Sequence, residues 1–160
     1  MSKLVTGLLR FSVAFLFAAA ALAQAPGAGK APAKHGGGAG APVVWPAADM
    51  KWVETPDAPA GVKQAVLWGD TTKGRFGTLT KFPAGFSTPL HSHSANLKMV
   101  VISGTVIHGP EGKPAIRLSA GSYLFEPSGY KHTTECDKAA ECVFFMEGDG
   151  KFDIVMADKK

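Results

Sequence analysis

The chain has 160 residues, 17 basic against 13 acidic for a formal charge of +4, 46% hydrophobic residues and two cysteines. No dense Lys/Arg block and no stripe of interleaved basic and aromatic residues appears, so the sequence does not suggest a nucleic-acid partner. The 118 residues from Val43 onward suffice for one compact domain, and no internal repeat divides them.

In chain order, Lys3 and Arg10 flank the start of an apolar run, residues 11–23, that ends in the small-x-small triplet Ala21-Leu22-Ala23. This pattern predicts a secretory signal peptide over residues 1–23. The run falls short of the roughly 20 residues a spanning helix needs, so an uncleaved anchor is the weaker reading and no stable membrane anchor is expected after cleavage. Periplasmic or secreted localisation follows as an expectation. With Lys3 and Arg10 taken from the 17 basic residues, 15 remain against 13 acidic ones, so the overall charge says little about partners. Residues 24–42 are almost wholly Gly, Ala, Pro and Lys, a composition that cannot bury a core and predicts a flexible linker. His35, within it, is given no role.

Residues 43–160 form the predicted domain. Turn signals recur about every ten residues, among them FPAG, GPEGKP, PSG and EGDG. Between them lie short runs rich in Val, Ile, Phe, Thr and Leu, namely VKQAVLW, RFGTLTKF, KMVVI, TVIH, AIRL, SYLFE, ECVFFME and KFDIVM. No stretch holds a helical period for three turns, so the class is all-β, a sandwich or barrel. Trp45, Trp52 and Trp68 and most of the ten phenylalanines are read as packing residues, some of them lining whatever cavity a barrel encloses.

Two segments carry the chemistry. In GFSTPLHSHSANLKMVVISG, His91 and His93 are two apart and project from one face of an extended chain. In GSYLFEPSGYKH a strand, a Pro-Ser-Gly turn and His132 follow one another, and Pro127 and Gly129 supply the backbone angles for a tight reversal. Three neutral imidazoles converging inside one barrel suit Fe(II), Zn, Cu, Ni or Mn.

The spacing Gly85-x5-His91-x-His93 with Gly104, followed by Gly121-x5-Pro127-x-Gly129-x2-His132, resembles both signature motifs of the cupin superfamily. The segments DMKW, AVLWGD, FPAGF, HSH and VVISGT are also similar to the ChrR-like cupins of unknown function, over residues 49–153. The resemblance implies an antiparallel jelly-roll β-barrel in a single domain, a metal at its centre, and a small-molecule ligand or substrate, with a homodimer as a further expectation. Its usual ligands are two histidines and a glutamate from the first motif and one histidine from the second. His91, His93 and His132 match, whereas the glutamate position holds Leu97 and the final Asn position holds Cys136.

Leu97 has no lone pair for a metal, Lys98 carries the wrong charge, and Asn96 offers at best a neutral oxygen near the site. Three neutral histidines around a divalent ion leave its charge uncompensated, so an anionic oxygen or sulfur is the natural entering ligand. Three-histidine iron cupins make Fe(II) the first choice of cofactor and an oxygenase-type enzyme acting on a small anion the leading function, with no catalytic residue assigned. The alternative is a non-catalytic module that binds a small molecule or a partner after losing its acidic ligand. Cys136 and Cys142 flank a short polar loop and are read as a disulfide in an oxidising compartment, against a thiolate ligand at Cys136. His108 is read as an ordinary strand-end residue.

Overall fold

A computed structural model describes residues 42–55 and 58–157. The expected signal peptide, nearly all of the linker and His35 lie outside the described residues. The alternation of large apolar and polar side chains yields eleven strands: β1 (Val53–Glu54), β2 (Lys63–Gly69), β3 (Phe76–Phe82), β4 (His91–Ser92), β5 (Leu97–Ser103), β6 (Thr105–Pro110), β7 (Ile116–Ser119), β8 (Tyr123–Glu126), β9 (His132–Cys136), β10 (Cys142–Gly148) and β11 (Val155–Met156). A single 3-10 turn at Ala47–Asp49 precedes them.

Six strands form one sheet in the order β1-β2-β3-β10-β5-β8, and five form the other in the order β11-β4-β9-β6-β7. All pairings are antiparallel, and the chain passes repeatedly between the sheets, so the fold is the jelly roll expected from the sequence. The two inner faces meet in a core of Phe76, Leu97, Met99, Val101, Val106, Phe144 and Met146. Strict alternation delivers them: β10 reads buried, half-buried, buried along its whole length. Gly104, at φ +75°, makes the left-handed turn that joins β5 to β6 directly, a conformation other residues adopt only under strain.

Two expectations need correction. KFDIVM supplies only the two-residue strand β11, because Phe152 leaves the ladder: its N–H donates to Thr71 and its ring turns inward, edge-on to Phe76. The tryptophans are not core. Trp68 is 42% exposed, Trp45 is half-buried with its indole donating to the Leu67 carbonyl, and Lys81 Nζ lies 4.3 Å over the Trp52 ring. Phenylalanines do the packing instead.

Cys136 and Cys142 are joined by a disulfide, with Cα atoms 5.8 Å apart, and both sit in the core cluster. The thiolate-ligand reading of Cys136 is thereby set aside. A loop closed over a separation of six residues contributes about 2 kcal/mol in the chain-entropy model. Replacing both cysteines by alanine is expected to lower the unfolding free energy by about that amount in urea titration, and no change would show that the unfolded chain is not constrained by the bridge.

Candidate metal centre

β4 and β9 pair with His91 directly opposite His132, which sets two of the three imidazoles side by side. His93 is two residues beyond His91 on the same face. The ring centroids of His91 and His93 are 4.9 Å apart, those of His91 and His132 4.4 Å, and those of His93 and His132 5.3 Å. One ring nitrogen from each of the three lies within 4.8 Å of the others. All three side chains are buried, at 3%, 7% and 1% exposure.

Each ring is also held in one orientation. Nδ1 of His91 lies 2.8 Å from the Pro89 carbonyl, Nδ1 of His93 2.6 Å from the Asp153 carbonyl, and Nδ1 of His132 3.0 Å from the Tyr130 carbonyl. A carbonyl accepts only, so each Nδ1 must carry its proton and donate, leaving Nε2 as the nitrogen that faces its neighbours. This is the outer-shell arrangement that fixes the tautomer of metal-ligating histidines.

The loops around the rings are laced together. Gly129, at φ +76°, donates its N–H to the His93 carbonyl at 2.8 Å, and Ser128 Oγ donates to the Ser94 carbonyl. Ser94 N–H donates to Asp153 Oδ1 at 2.8 Å. The turn of the second motif therefore clamps the strand end of the first. Asn96 belongs to this clamp and not to the centre: Nδ2 donates to Asp149 and Oδ1 accepts from Ser128 N–H. Lys98 points outward to Glu147 at 3.1 Å, so its charge does not enter the cavity.

The charge balance read from the sequence needs a larger correction. Leu97 is paired across the strands with Glu126, the last residue of β8. Directly opposite residues of an antiparallel pair point to the same side, and Glu126 is 5% exposed and faces the imidazoles. Its Oε1 is 3.0 Å from His132 Nε2 and 3.3 Å from His108 Nδ1. His108 is no strand-end residue on the surface. It is 3% exposed, and with Glu126 and His132 it forms a second group of donors within 4.8 Å of one another. Two buried groups of three thus share His132.

Burial depresses the basicity of His91, pushed down to about 4, and of His93 and His108, which favours the neutral rings. For His132 burial acts the same way, but the Glu126 carboxylate outweighs it and raises the ring. Burial works to raise the Glu126 carboxyl, and His132, His108 and His93 together hold it below its usual range. A divalent cation would bind the neutral rings and the ionised carboxylate and displace the proton that Glu126 holds on His132.

A pH dependence follows for the metal-stripped protein. Burial lowers the folded-state basicity of His91, His93 and His108, so below about 6.5 the unfolded chain binds more protons at these positions than the folded one. His132, raised by Glu126, acts in the opposite sense near pH 6.5, and its contribution fades below that as the unfolded chain takes up the same proton. The thermal midpoint is expected to fall on acidification from pH 6.5 to 4, and a midpoint that holds or rises would contradict the burial of neutral rings.

Above the imidazoles lies a cavity of about 610 Å³. Its polar end is His91, His93, His132 and Glu126, and its walls are largely apolar, including Phe82, Phe86, Phe144 and Phe152. The donor set fits a divalent ion: two or three neutral imidazoles with a carboxylate suit Fe(II), Zn, Mn, Ni or Cu, and Glu126 Oε1 is a buried acceptor with no hydrogen bond of proper geometry.

Two antiparallel sheets rolled around a histidine cluster drawn from a His-x-His strand end and a Pro-x-Gly turn give this protein the cupin fold. It belongs to the family described as a domain of unknown function, DUF4437, whose profile matches residues 39–155. Among curated proteins it is 34% identical over 68 residues to the dimethylsulfoniopropionate lyase DddQ of Ruegeria pomeroyi, covering 42% of this chain and 34% of that protein. The chain thus matches only about a third of that relative's length.

The crystal structure of the same lyase superposes with a TM-score of 0.56 at 23% identity, over 69% of this chain and 62% of that one. An RmlC-like cupin from Ralstonia eutropha gives 0.57 at 20% identity, over 70% and 74% of the two chains. The Rhodobacter sphaeroides complex of SigE with the anti-sigma ChrR gives 0.51 at 23% identity, over 65% and 52%. These structural likenesses show the fold.

Proposed function

We propose that this protein is an exported, metal-dependent cupin enzyme that acts on a small organic molecule bearing an anionic oxygen. The observation that carries the reading is the set of three histidines, each with its tautomer fixed by a backbone carbonyl, at the polar end of a 610 Å³ apolar cavity. His91, His93 and His132 would hold the ion, with Fe(II) first and Zn, Mn, Ni or Cu as alternatives. A divalent ion held there would supply Lewis-acid stabilisation of negative charge on a bound oxygen. The phenylalanine walls would seat the apolar remainder of the substrate and exclude water from the polar end.

Export is supported by the signal-like leader and by the disulfide, which persists in oxidising compartments. The homodimer belongs to the same proposal, with Ile102, Tyr123 and Phe125 exposed on β5 and β8 as apolar surface it would cover.

Two reaction classes compete at such a site. The oxygenase-type reading rests on the three-histidine set, and the lyase reading on the local similarity to the dimethylsulfoniopropionate lyase. They separate in one experiment. Protein reconstituted anaerobically with each of the five metals is mixed with a panel of small carboxylates and enolisable diketones that includes dimethylsulfoniopropionate, while oxygen uptake and product NMR are followed. Substrate loss coupled to oxygen consumption supports the oxygenase, and loss without it the lyase. Saturable binding with no turnover under any metal would overturn the enzyme in favour of the non-catalytic binding module.

A further inference from the structure

We infer that Glu126 is the carboxylate ligand of this centre, transposed from the strand of the first motif to the strand beside it. The inference rests on the metal-centre reading above and adds to it the acidic ligand that position 97 lacks.

The register makes the transposition possible. Leu97 of β5 and Glu126 of β8 are direct partners, and such partners carry their Cβ atoms about 5 Å apart on the same side of the sheet. A carboxylate from position 126 therefore enters the cavity close to where one from position 97 would. Leu97, 2% exposed, has become apolar wall beside it.

The surroundings of Glu126 point to a cation and not to an ordinary structural role. Glu126 is 5% exposed, and in the metal-free protein its charge is answered by His132 and His108, which themselves belong to a group of converging metal donors. Its Oε1 approaches His132 Nε2 at 3.0 Å and His108 Nδ1 at 3.3 Å, yet neither contact has hydrogen-bond geometry. Two neighbouring donor atoms about 2.1 Å from one octahedral ion lie about 3 Å from each other. The Oε1 to Nε2 separation matches that spacing. His108 Nδ1 lies 3.3 Å from the same carboxylate oxygen, with its ring 5.2 Å from that of His132. Among the described residues Glu126 is the one carboxylate in either group of converging donors.

Metal affinity tests the assignment without reference to turnover. Co(II) is titrated into the parent protein, Glu126→Gln, Glu126→Leu and the double variant Leu97→Glu/Glu126→Leu, following the visible d–d bands and competing with a chelator. Circular dichroism checks the fold of each. Glu126→Gln and Glu126→Leu are expected to weaken Co(II) binding by about 100-fold with altered bands, and the double variant, which returns the acid to position 97, is expected to recover most of the loss. Should Glu126→Leu fail to fold, the isosteric glutamine variant carries the comparison.

Parental affinity and bands in the glutamine variant would overturn the inference, as would a folded double variant that binds no better than Glu126→Leu. A parent protein that binds no metal would instead overturn the metal-centre reading itself, so the two failures are distinguishable.

Discussion

Replacing His132 by alanine is expected to abolish stoichiometric metal binding, and it should do so more completely than the same change at His91 or His93. His132 is the residue shared by the two groups of converging donors, opposite His91 in the β4–β9 pairing and 3.0 Å from Glu126. Removing it leaves Glu126 buried with only His108 beside it, a charge that has lost its principal partner. Breaking a buried pair by removing one partner costs about 3 to 5 kcal/mol, so the metal-free variant should also unfold at lower urea. Metal content by elemental analysis and a urea titration of the same sample check both parts. Retention of one equivalent of metal by His132→Ala would remove His132 from the ligand set.

Phe76→Ala is the largest stability change expected away from the imidazoles. Phe76 is fully buried on β3, paired with Gly148 of β10, whose missing side chain leaves room for the Phe76 ring. Truncating a buried phenylalanine costs about 3 to 5 kcal/mol through lost transfer energy and the cavity left behind. That is a large share of the 5 to 15 kcal/mol that stabilises a typical domain. The effect should reach the centre, because the Phe76 ring supports Phe152, and the Phe152 ring centroid lies 5.2 Å from that of His93. A drop in urea stability accompanied by weaker metal binding is expected. A loss below about 1 kcal/mol would mean that the site collapses around the deletion.

Most of the scaffold was legible because its signals are local. Turn residues punctuate strands whose inward positions repeat every second residue, and the glycine, proline and histidine spacing of both motifs singles out His91, His93 and His132, whose ring nitrogens the fold brings within 4.8 Å of one another. The acid was not legible, for a physical reason that lies in β8. Its sequence Tyr-Leu-Phe-Glu invites the aromatic residues inward and the glutamate outward, yet Tyr123 and Phe125 are 59% and 49% exposed while Glu126 is buried. Only the register of β8 against β5, a long-range pairing, reveals that Glu126 faces the place left by Leu97.

His108 was misread for a similar reason. The turn at Gly104 obscures the phase of β6, whereas in the fold Val106, His108 and Pro110 all point inward. A histidine in phase with a core valine two residues away was the available signal. The tryptophans erred the other way: large aromatic area suggested core, but the barrel interior is filled by Phe76, Phe144 and methionines, and the indoles cover edges and backbone.

The most direct measurement is a crystal of the tag-free protein loaded with Fe(II), Zn or Mn, with diffraction recorded on both sides of the metal absorption edge. One anomalous peak is expected about 2.1 Å from Nε2 of His91, His93 and His132, with Glu126 turned toward it. An electron density map in which those three nitrogens face only water, with no anomalous peak under any of the three metals, would contradict the central claim.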